Sequence, residues 1–343
     1  GLIAFGLILG AIFWLRPDDA LAKALVAILG SRILFKASEV AVYWFESQVL
    51  SKYTVGVQNG SFLVVAVSKV ALIFYNAPLI AFAWTMMAEA LVIALLMLVI
   101  LGLRGPRLRQ LRITLERAKM LLKESWPLLL SGIAIVIYMK IDQIMLGQMV
   151  DDEEVGIYSA AVRISEVWYF IPMVIVASVF PAILEAKKRS EEQYYARLQS
   201  LFDVMTLISV PVALFMTFLS PFVVEFLFGA AYSAAGPVLA IHIWASIFVF
   251  LGVASEKWFL TENLQRLVFV RMVLNGTINV VLNYLLIPDY GAVGAAIALV
   301  IAQSLGTFLY DQFRADTKKI FHMKVSSFNI FRIIYKHSWK NIS

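Results

Sequence analysis

Arg271, Asn275, Asn279 and Asn283 stand four residues apart. At 3.6 residues per turn this interval keeps them on one helix face, drifting by about 40° per step. A guanidinium grips phosphate through paired hydrogen bonds, and amides exchange hydrogen bonds with hydroxyls. The stripe therefore suits an anionic, hydroxyl-rich ligand, with inter-helix Asn–Asn bonding as the structural alternative. Other ionisable groups also interrupt apolar stretches, among them Arg32, Lys36, Glu39, Lys69, Glu89, Lys140, Asp142, Arg163 and Glu166. Lys36 with Glu39, and Arg163 with Glu166, are three apart and can neutralise each other on one face. Lys140 and Asp142, two apart, cannot share a face, so at least one must reach another helix or a cavity. Asp142 reads as a structural hydrogen-bond partner or a coupling-ion site, and Glu89, with no basic neighbour at helical spacing, as a proton-coupling candidate. The candidate substrate contacts are thus Arg271, Asn275, Asn279, Asn283, Lys36, Lys140 and Arg163. The candidate coupling or structural groups are Asp142, Glu89, Glu166 and Glu39.

The elements that must position these groups are membrane spans. The 343 residues are 61% hydrophobic and only 15% charged, with a mean hydropathy of +0.83. Soluble chains are about 45–50% apolar and about 25% charged. This composition excludes a soluble enzyme or a nucleic-acid binder, and the absence of cysteine excludes disulfides and thiolate metal sites. Three histidines leave no His-based zinc site in view. Ten apolar stretches are long enough to be read as helices in a bilayer: 1–16, 21–46, 55–75, 78–102, 126–149, 156–183, 199–228, 237–260, 267–287 and 292–313. The expected fold is an all-α polytopic membrane protein. Its divisions are a partial N-terminal lobe of four helices (1–102), a basic cytoplasmic linker (103–123), a six-helix C-terminal lobe (124–313) and a cytoplasmic tail (314–343). One alternating set of loops holds 20 of the 29 Lys and Arg, which places that set in the cytoplasm. The acidic turn Asp151–Glu154 is then outside.

Displaced by 214 residues, the chain partly repeats itself. Trp44-Phe45 falls on Trp258-Phe259, Leu50 on Leu264, Lys52 on Arg266, Ala88 on Ala302 and Glu89 on Gln303. Six spans separate equivalent positions, so the halves are expected to be parallel repeats. The counterpart of the start of the second half would precede Gly1, and an intact protein of twelve spans is expected on that ground.

Tyr138-Met-Lys-Ile-Asp-Gln-Ile-Met-Leu-Gly147, followed by Val155-Gly-Ile-Tyr-Ser-Ala-Ala161, resembles the seventh and eighth helices of bacterial polysaccharide flippases. These are the oligosaccharidyl-lipid exporters of the multidrug/oligosaccharidyl-lipid/polysaccharide superfamily. Ser165–Pro172, Phe180–Ile183, Phe228–Tyr232 and Ile287–Ala296 extend the likeness over nearly the whole chain. The resemblance implies a transporter that moves a polyprenyl-pyrophosphate-linked oligosaccharide from the cytoplasmic to the periplasmic leaflet of the cell inner membrane. It implies alternating access between two lobes, lipids and other polysaccharide-assembly proteins as partners, and no nucleic acid. No cofactor is expected beyond a coupling ion, proton or sodium.

Two other readings compete. A multidrug or organic-cation exporter on the same fold would favour a cavity rich in acids and aromatics, whereas the charged groups within these spans include at least as many Lys and Arg as Asp and Glu. A membrane-embedded glycosyltransferase would need long loops or a further domain with acidic metal sites, and the sequence offers neither. Nor does it offer a phosphate-binding glycine loop that would make ATP the energy source.

Overall fold

The computed structural model describes residues 1–48, 50–105 and 139–329, with a few positions between 106 and 138. The 103–123 linker and the start of the 126–149 span lie mostly outside the described residues, as does the tail beyond 329. The described residues are helical, with no strand among them. They divide into two compact units, Gly1–Glu124 and Ser125–Ser343.

The first unit contains α1 (Leu2–Leu15), α2 (Ala20–Phe35), α3 (Glu39–Ser47), α4 (Ser51–Phe74) and α5 (Leu79–Arg104). Asp19 caps α2 by accepting a 2.8 Å hydrogen bond from the Ala22 amide, which satisfies one of the free N–H groups at a helix start. A short 3-10 turn, Lys36–Ser38, separates α2 from α3. A small core of Ala41, Phe45, Val57, Met97 and Leu101 ties α3, α4 and α5 together.

The second unit holds a helical stretch over 139–149 (α6), α7 (Asp152–Val167), α8 (Phe170–Arg189), α9 (Glu191–Phe228), α10 (Ala235–His242), α11 (Ala245–Thr261), α12 (Gln265–Gln303) and α13 (Ala315–Ser326). Asp151 caps α7, with Asp152, Glu153 and Glu154 in its first turn. Lys187, Lys188 and Arg189 end α8. Both placements oppose the helix dipole with the favourable charge. Tyr158, Tyr194, Phe202, Phe250 and Phe259 are the large rings buried in this unit's core.

Six helical stretches among the described residues are long and apolar enough to cross a membrane, against ten expected. Three physical differences account for much of the gap. Leu2–Leu15 has only 14 residues. The stretch expected over 21–46 is broken at Lys36–Ser38. The expected spans 267–287 and 292–313 are both present as helical arms that meet at a sharp break at one residue, with no loop, so that 265–313 counts as one stretch. That residue is Gly291, at φ 52° and ψ −132°, a backbone region closed to side-chain-bearing residues. Glu154 accepts a hydrogen bond from the Ala292 amide, and a Cβ on Gly291 would lie 2.5 Å from the same carboxylate oxygen. The sharp break thus depends on glycine twice, for its dihedrals and for its lack of a side chain.

Around its Trp-Phe pairs the 214-residue repeat has matching local geometry. In the first unit Gln48 N donates to Trp44 O at 3.2 Å and Leu50 N to Phe45 O at 2.8 Å. In the second, Glu262 N donates to Trp258 O at 2.9 Å and Leu264 N to Phe259 O at 2.8 Å. The Trp-Phe rings meet edge to face in both, at 4.9 Å and 81° and at 5.1 Å and 76°. Phe45 and Phe259 are each fully buried.

Candidate functional site

The stripe on the first half of α12 is buried along its whole length, Arg271 at 7%, Asn275 at 3%, Asn279 at 2% and Asn283 at 0% exposure. Its far end meets α6 and α7. Asn283 Nδ2 donates to Asp142 Oδ1 at 2.6 Å and to Asn279 Oδ1 at 3.3 Å. The other Asp142 oxygen accepts from the Tyr158 hydroxyl at 2.7 Å. His242 packs edge-on to Tyr158 and shares a 2.9 Å hydrogen bond with Ser165 Oγ. It is a packing residue, as a lone histidine in an apolar run usually is.

The near end of the stripe meets the last turns of the second arm, beyond the break at Gly291. Asn275 Nδ2 donates to Thr307 Oγ1 at 3.3 Å, which in turn donates to Gln303 Oε1 at 2.9 Å. Arg271 lies over the Phe259 ring, 4.7 Å from its centroid, and donates through Nη2 to the Thr307 carbonyl. That carbonyl is exposed to side chains because the helix leaves its regular register there. Ser304–Phe308 form a wide π turn and Leu309–Phe313 a tight 3-10 turn, distortions that recur at functional sites. The two arms of the helix touch at Gly306, where a Cβ would lie 2.8 Å from Asn275 Cβ.

A third element completes this end. Lys324, on α13, is fully buried. It donates to Asp311 Oδ2 at 2.8 Å and to the Thr307 carbonyl at 3.1 Å. Burial pushes its ammonium group down from 10.5 to about 8, helped by the Arg271 charge and opposed by Asp311. Arg271 Nε stands 3.7 Å from Asp311 Oδ1, beyond hydrogen-bond reach.

Two clefts open onto the stripe. One, of about 130 Å³, is lined by Asp142, Tyr158, Glu166, His242, Asn279 and Gln303 among others. The other, of about 290 Å³, is lined by Glu256, Arg271, Asn275, Gln303 and Thr307 with apolar neighbours. Gln303 and Val249 border both. Among the described residues, several buried polar atoms have no hydrogen-bond partner: Arg271 Nε, Asn275 Oδ1, Asn279 Nδ2, Asn283 Oδ1 and Asp311 Oδ1. Such atoms are costly to leave unpaired, and those of Arg271, Asn275 and Asn279, residues that line the two clefts, mark where a hydrogen-bonding ligand or water would be stabilised.

The remaining candidates are elsewhere. Lys36 and Glu39 form a 3.8 Å ion pair on an exposed face of the first unit and border a cleft of about 490 Å³ with Arg32 and Gln58. Arg163 is exposed and Glu166 half-buried, and among the described residues no ion pair joins them, contrary to their three-residue spacing. Lys140 is exposed while Asp142 is buried, so it is Asp142 that reaches the neighbouring helices. Glu89 lines a mainly apolar cleft of about 390 Å³ with Ser61 and Thr85; Gln303, 214 residues on, borders the clefts of the second unit. The cationic excess expected inside the spans is not what burial selects. The buried charged residues described are Asp142, Asp203, Asp311, Arg271 and Lys324, because most of the other Lys and Arg reach an exposed surface.

Thr307, Asp311, Tyr158 and Lys324 were not among the sequence candidates. A signal for Lys324 exists: Thr317, Ile320, Phe321 and Lys324, all buried, follow the spacing of one helix face. The segment expected as a basic tail therefore docks through 329 against the second unit, where Ser327 Oγ and Thr206 Oγ1 share a 2.7 Å hydrogen bond.

"Probable flippase AglR" of Haloferax volcanii is 29% identical over 178 residues, covering 50% of this chain and 37% of the relative. "Probable low-salt glycan biosynthesis flippase Agl15" of the same organism is 24% identical over 196 residues, covering 57% and 42%. The chain thus spans well under half the length of these curated relatives. The solved structure of the lipid II flippase MurJ, in an inward closed conformation, superposes with a TM-score of 0.72 at 16% identity, over 98% of this chain and 75% of that one. An inward-facing multidrug resistance MATE family transporter of the MOP superfamily superposes with a TM-score of 0.71 at 15% identity, over 95% and 79%. At such identities these two show a shared fold, that of an all-α polytopic membrane protein. Over residues 11–237, more than half of its length, the chain matches the family described as polysaccharide biosynthesis protein, and it belongs to that family.

Proposed function

We propose that the chain is part of a flippase that carries a polyprenyl-pyrophosphate-linked oligosaccharide from the cytoplasmic to the outer leaflet for surface polysaccharide synthesis. It is a transporter and not an enzyme. The observation that carries this reading is the cleft lined by Arg271, Asn275, Gln303 and Thr307, with Glu256 also on its lining. A pyrophosphate needs a cation inside the bilayer, and sugar hydroxyls need amides. A polyprenyl tail can stay in lipid. Membership of a polysaccharide biosynthesis family and relatives named as glycan flippases support the same substrate class. Alternating access between two lobes moves the substrate, with Asp142 and its amide neighbours Asn279 and Asn283 holding the coupling ion, proton or sodium. The protein resides in the cytoplasmic membrane, with Lys52, Lys188 and Arg266 inside and Asp152 outside, and works beside other polysaccharide-assembly proteins.

An organic-cation exporter is the second reading, favoured by three buried carboxylates against two buried cations. All three are already engaged, Asp142 by Asn283 and Tyr158, Asp311 by Lys324 and Asp203 by Gln199, which weakens it. Expression of the full-length protein in a flippase-deleted host separates the two. Restored surface glycan with unchanged drug tolerance supports the flippase. Raised drug tolerance without surface glycan supports the exporter.

A further inference from the structure

Asp311 is a buried carboxylate between two buried cations, and it treats them unequally. Its Oδ2 accepts from Lys324 at 2.8 Å, whereas Oδ1 stands 3.7 Å from Arg271 Nε. Among the described residues, neither of the latter two atoms has a hydrogen-bond partner. Lys324 does not dangle into this position. Its helix is fixed on either side by the Thr317 hydroxyl, which donates to the Asp311 carbonyl at 2.8 Å, and by Gln199, which donates to the Met323 carbonyl at 3.0 Å. The three charges sum to one positive, and Arg271 is the one of the three that lines the cleft, where the exposed Glu256 also lies.

We propose that Lys324 is a positioning residue that keeps Arg271 available to a phosphate-bearing ligand by occupying Asp311. A guanidinium beside an unengaged carboxylate closes into a forked pair. Without Lys324, Asp311 would be a buried charge whose nearest cation is Arg271, and the strong penalty on such a charge draws the two together. The anion site would then be quenched from within. The proposal rests on the reading of Arg271 as the phosphate contact, and it adds a residue outside the membrane-spanning stretches to that function.

The test uses the purified full-length protein in detergent and inorganic pyrophosphate as the probe, with binding measured by titration calorimetry at pH 7. Wild type binds, and Arg271→Ala weakens binding by about tenfold or more, the scale of one lost charge-assisted contact. Lys324→Met weakens it by about tenfold as Arg271 is captured. The double variant Lys324→Met/Asp311→Asn, which removes the captor together with its keeper, returns to within about threefold of wild type. Asp311→Asn alone binds at least as tightly as wild type and decides the matter should Lys324→Met fail to fold. A double variant as weak as Lys324→Met would make Lys324 merely structural and overturn the proposal. So would a weakened Asp311→Asn, or a wild type that does not bind pyrophosphate. Because no glycan is involved, this binding pattern can hold even if glycan export proves independent of Arg271, in which case the flippase reading fails alone.

Discussion

Asn283 gives its amide to Asp142 across 2.6 Å, from 141 residues further along the chain. With the Tyr158 hydroxyl on the other oxygen, this carboxylate is held by two donors and faces a cleft. Asn283→Leu removes one donor and strands a buried charge, which should destabilise the protein by about 2–3 kcal/mol. Thermal unfolding in detergent reads this directly. Asp142→Asn keeps an acceptor for Tyr158, so it should unfold near the wild-type temperature while losing any dependence of transport on a proton or sodium gradient. An ion-dependent Asp142→Asn variant would assign Asp142 to packing alone.

Phe45 and Phe259 occupy the same place in the two repeats, but only Phe259 lies beneath a guanidinium. Replacing either with leucine should cost a similar amount of stability, about 1 kcal/mol for a near volume-conserving core swap. Phe259→Leu should in addition lower glycan export, because Arg271 loses its ring support, worth about 0.5–2 kcal/mol. Export measured against membrane protein level separates the two effects. Equal export by the two variants would remove the ring from the site.

Lys324 sets a pH signature. Its pKa in the folded protein, about 8, lies below its ordinary 10.5. Between these values the unfolded chain binds more protons, so this group makes stability rise with pH from about 8 towards 10.5. The same deprotonation frees Asp311 to take Arg271. Pyrophosphate affinity should therefore fall above about pH 8 while thermal stability gains from this residue. Both trends should vanish in Lys324→Met/Asp311→Asn, and persistence of either would place the titrating group elsewhere.

Much of this site was legible in the sequence, for identifiable reasons. The four-residue interval from Arg271 to Asn283 survives any detail of packing, since a polar face of that length cannot turn to lipid. The two-residue offset between Lys140 and Asp142 likewise forced them onto different faces. The Trp-Phe pair gave the repeat because its ring geometry needs both residues at both places. Partnerships were not legible. Nothing local links Lys324 to Asp311, and the basic composition of the expected tail gave no sign that Ala315–Ser326 is a helix docked on the second unit. Charge pairs read from spacing fared unevenly: Lys36 and Glu39 meet, whereas Arg163 and Glu166 do not, since the exposed Arg163 gains little from an ion pair. The break in 265–313 was read as a loop because Pro288-Asp289-Tyr290-Gly291 is turn-like. Only Gly291 leaves the helix, as Glu154 caps the helix that restarts at Ala292.

The central claim is that Arg271 contacts the phosphate of a lipid-linked glycan. Surface glycan in a flippase-deleted host carrying the full-length protein with Arg271→Ala tests it most directly, with the amount of protein in the membrane fraction as control. Export should fall by about tenfold or more, the scale of one lost charge-assisted contact, with Arg271→Lys retaining part of it and both variants reaching the membrane normally. Wild-type levels of surface glycan with Arg271→Ala would contradict the claim and leave the stripe as packing.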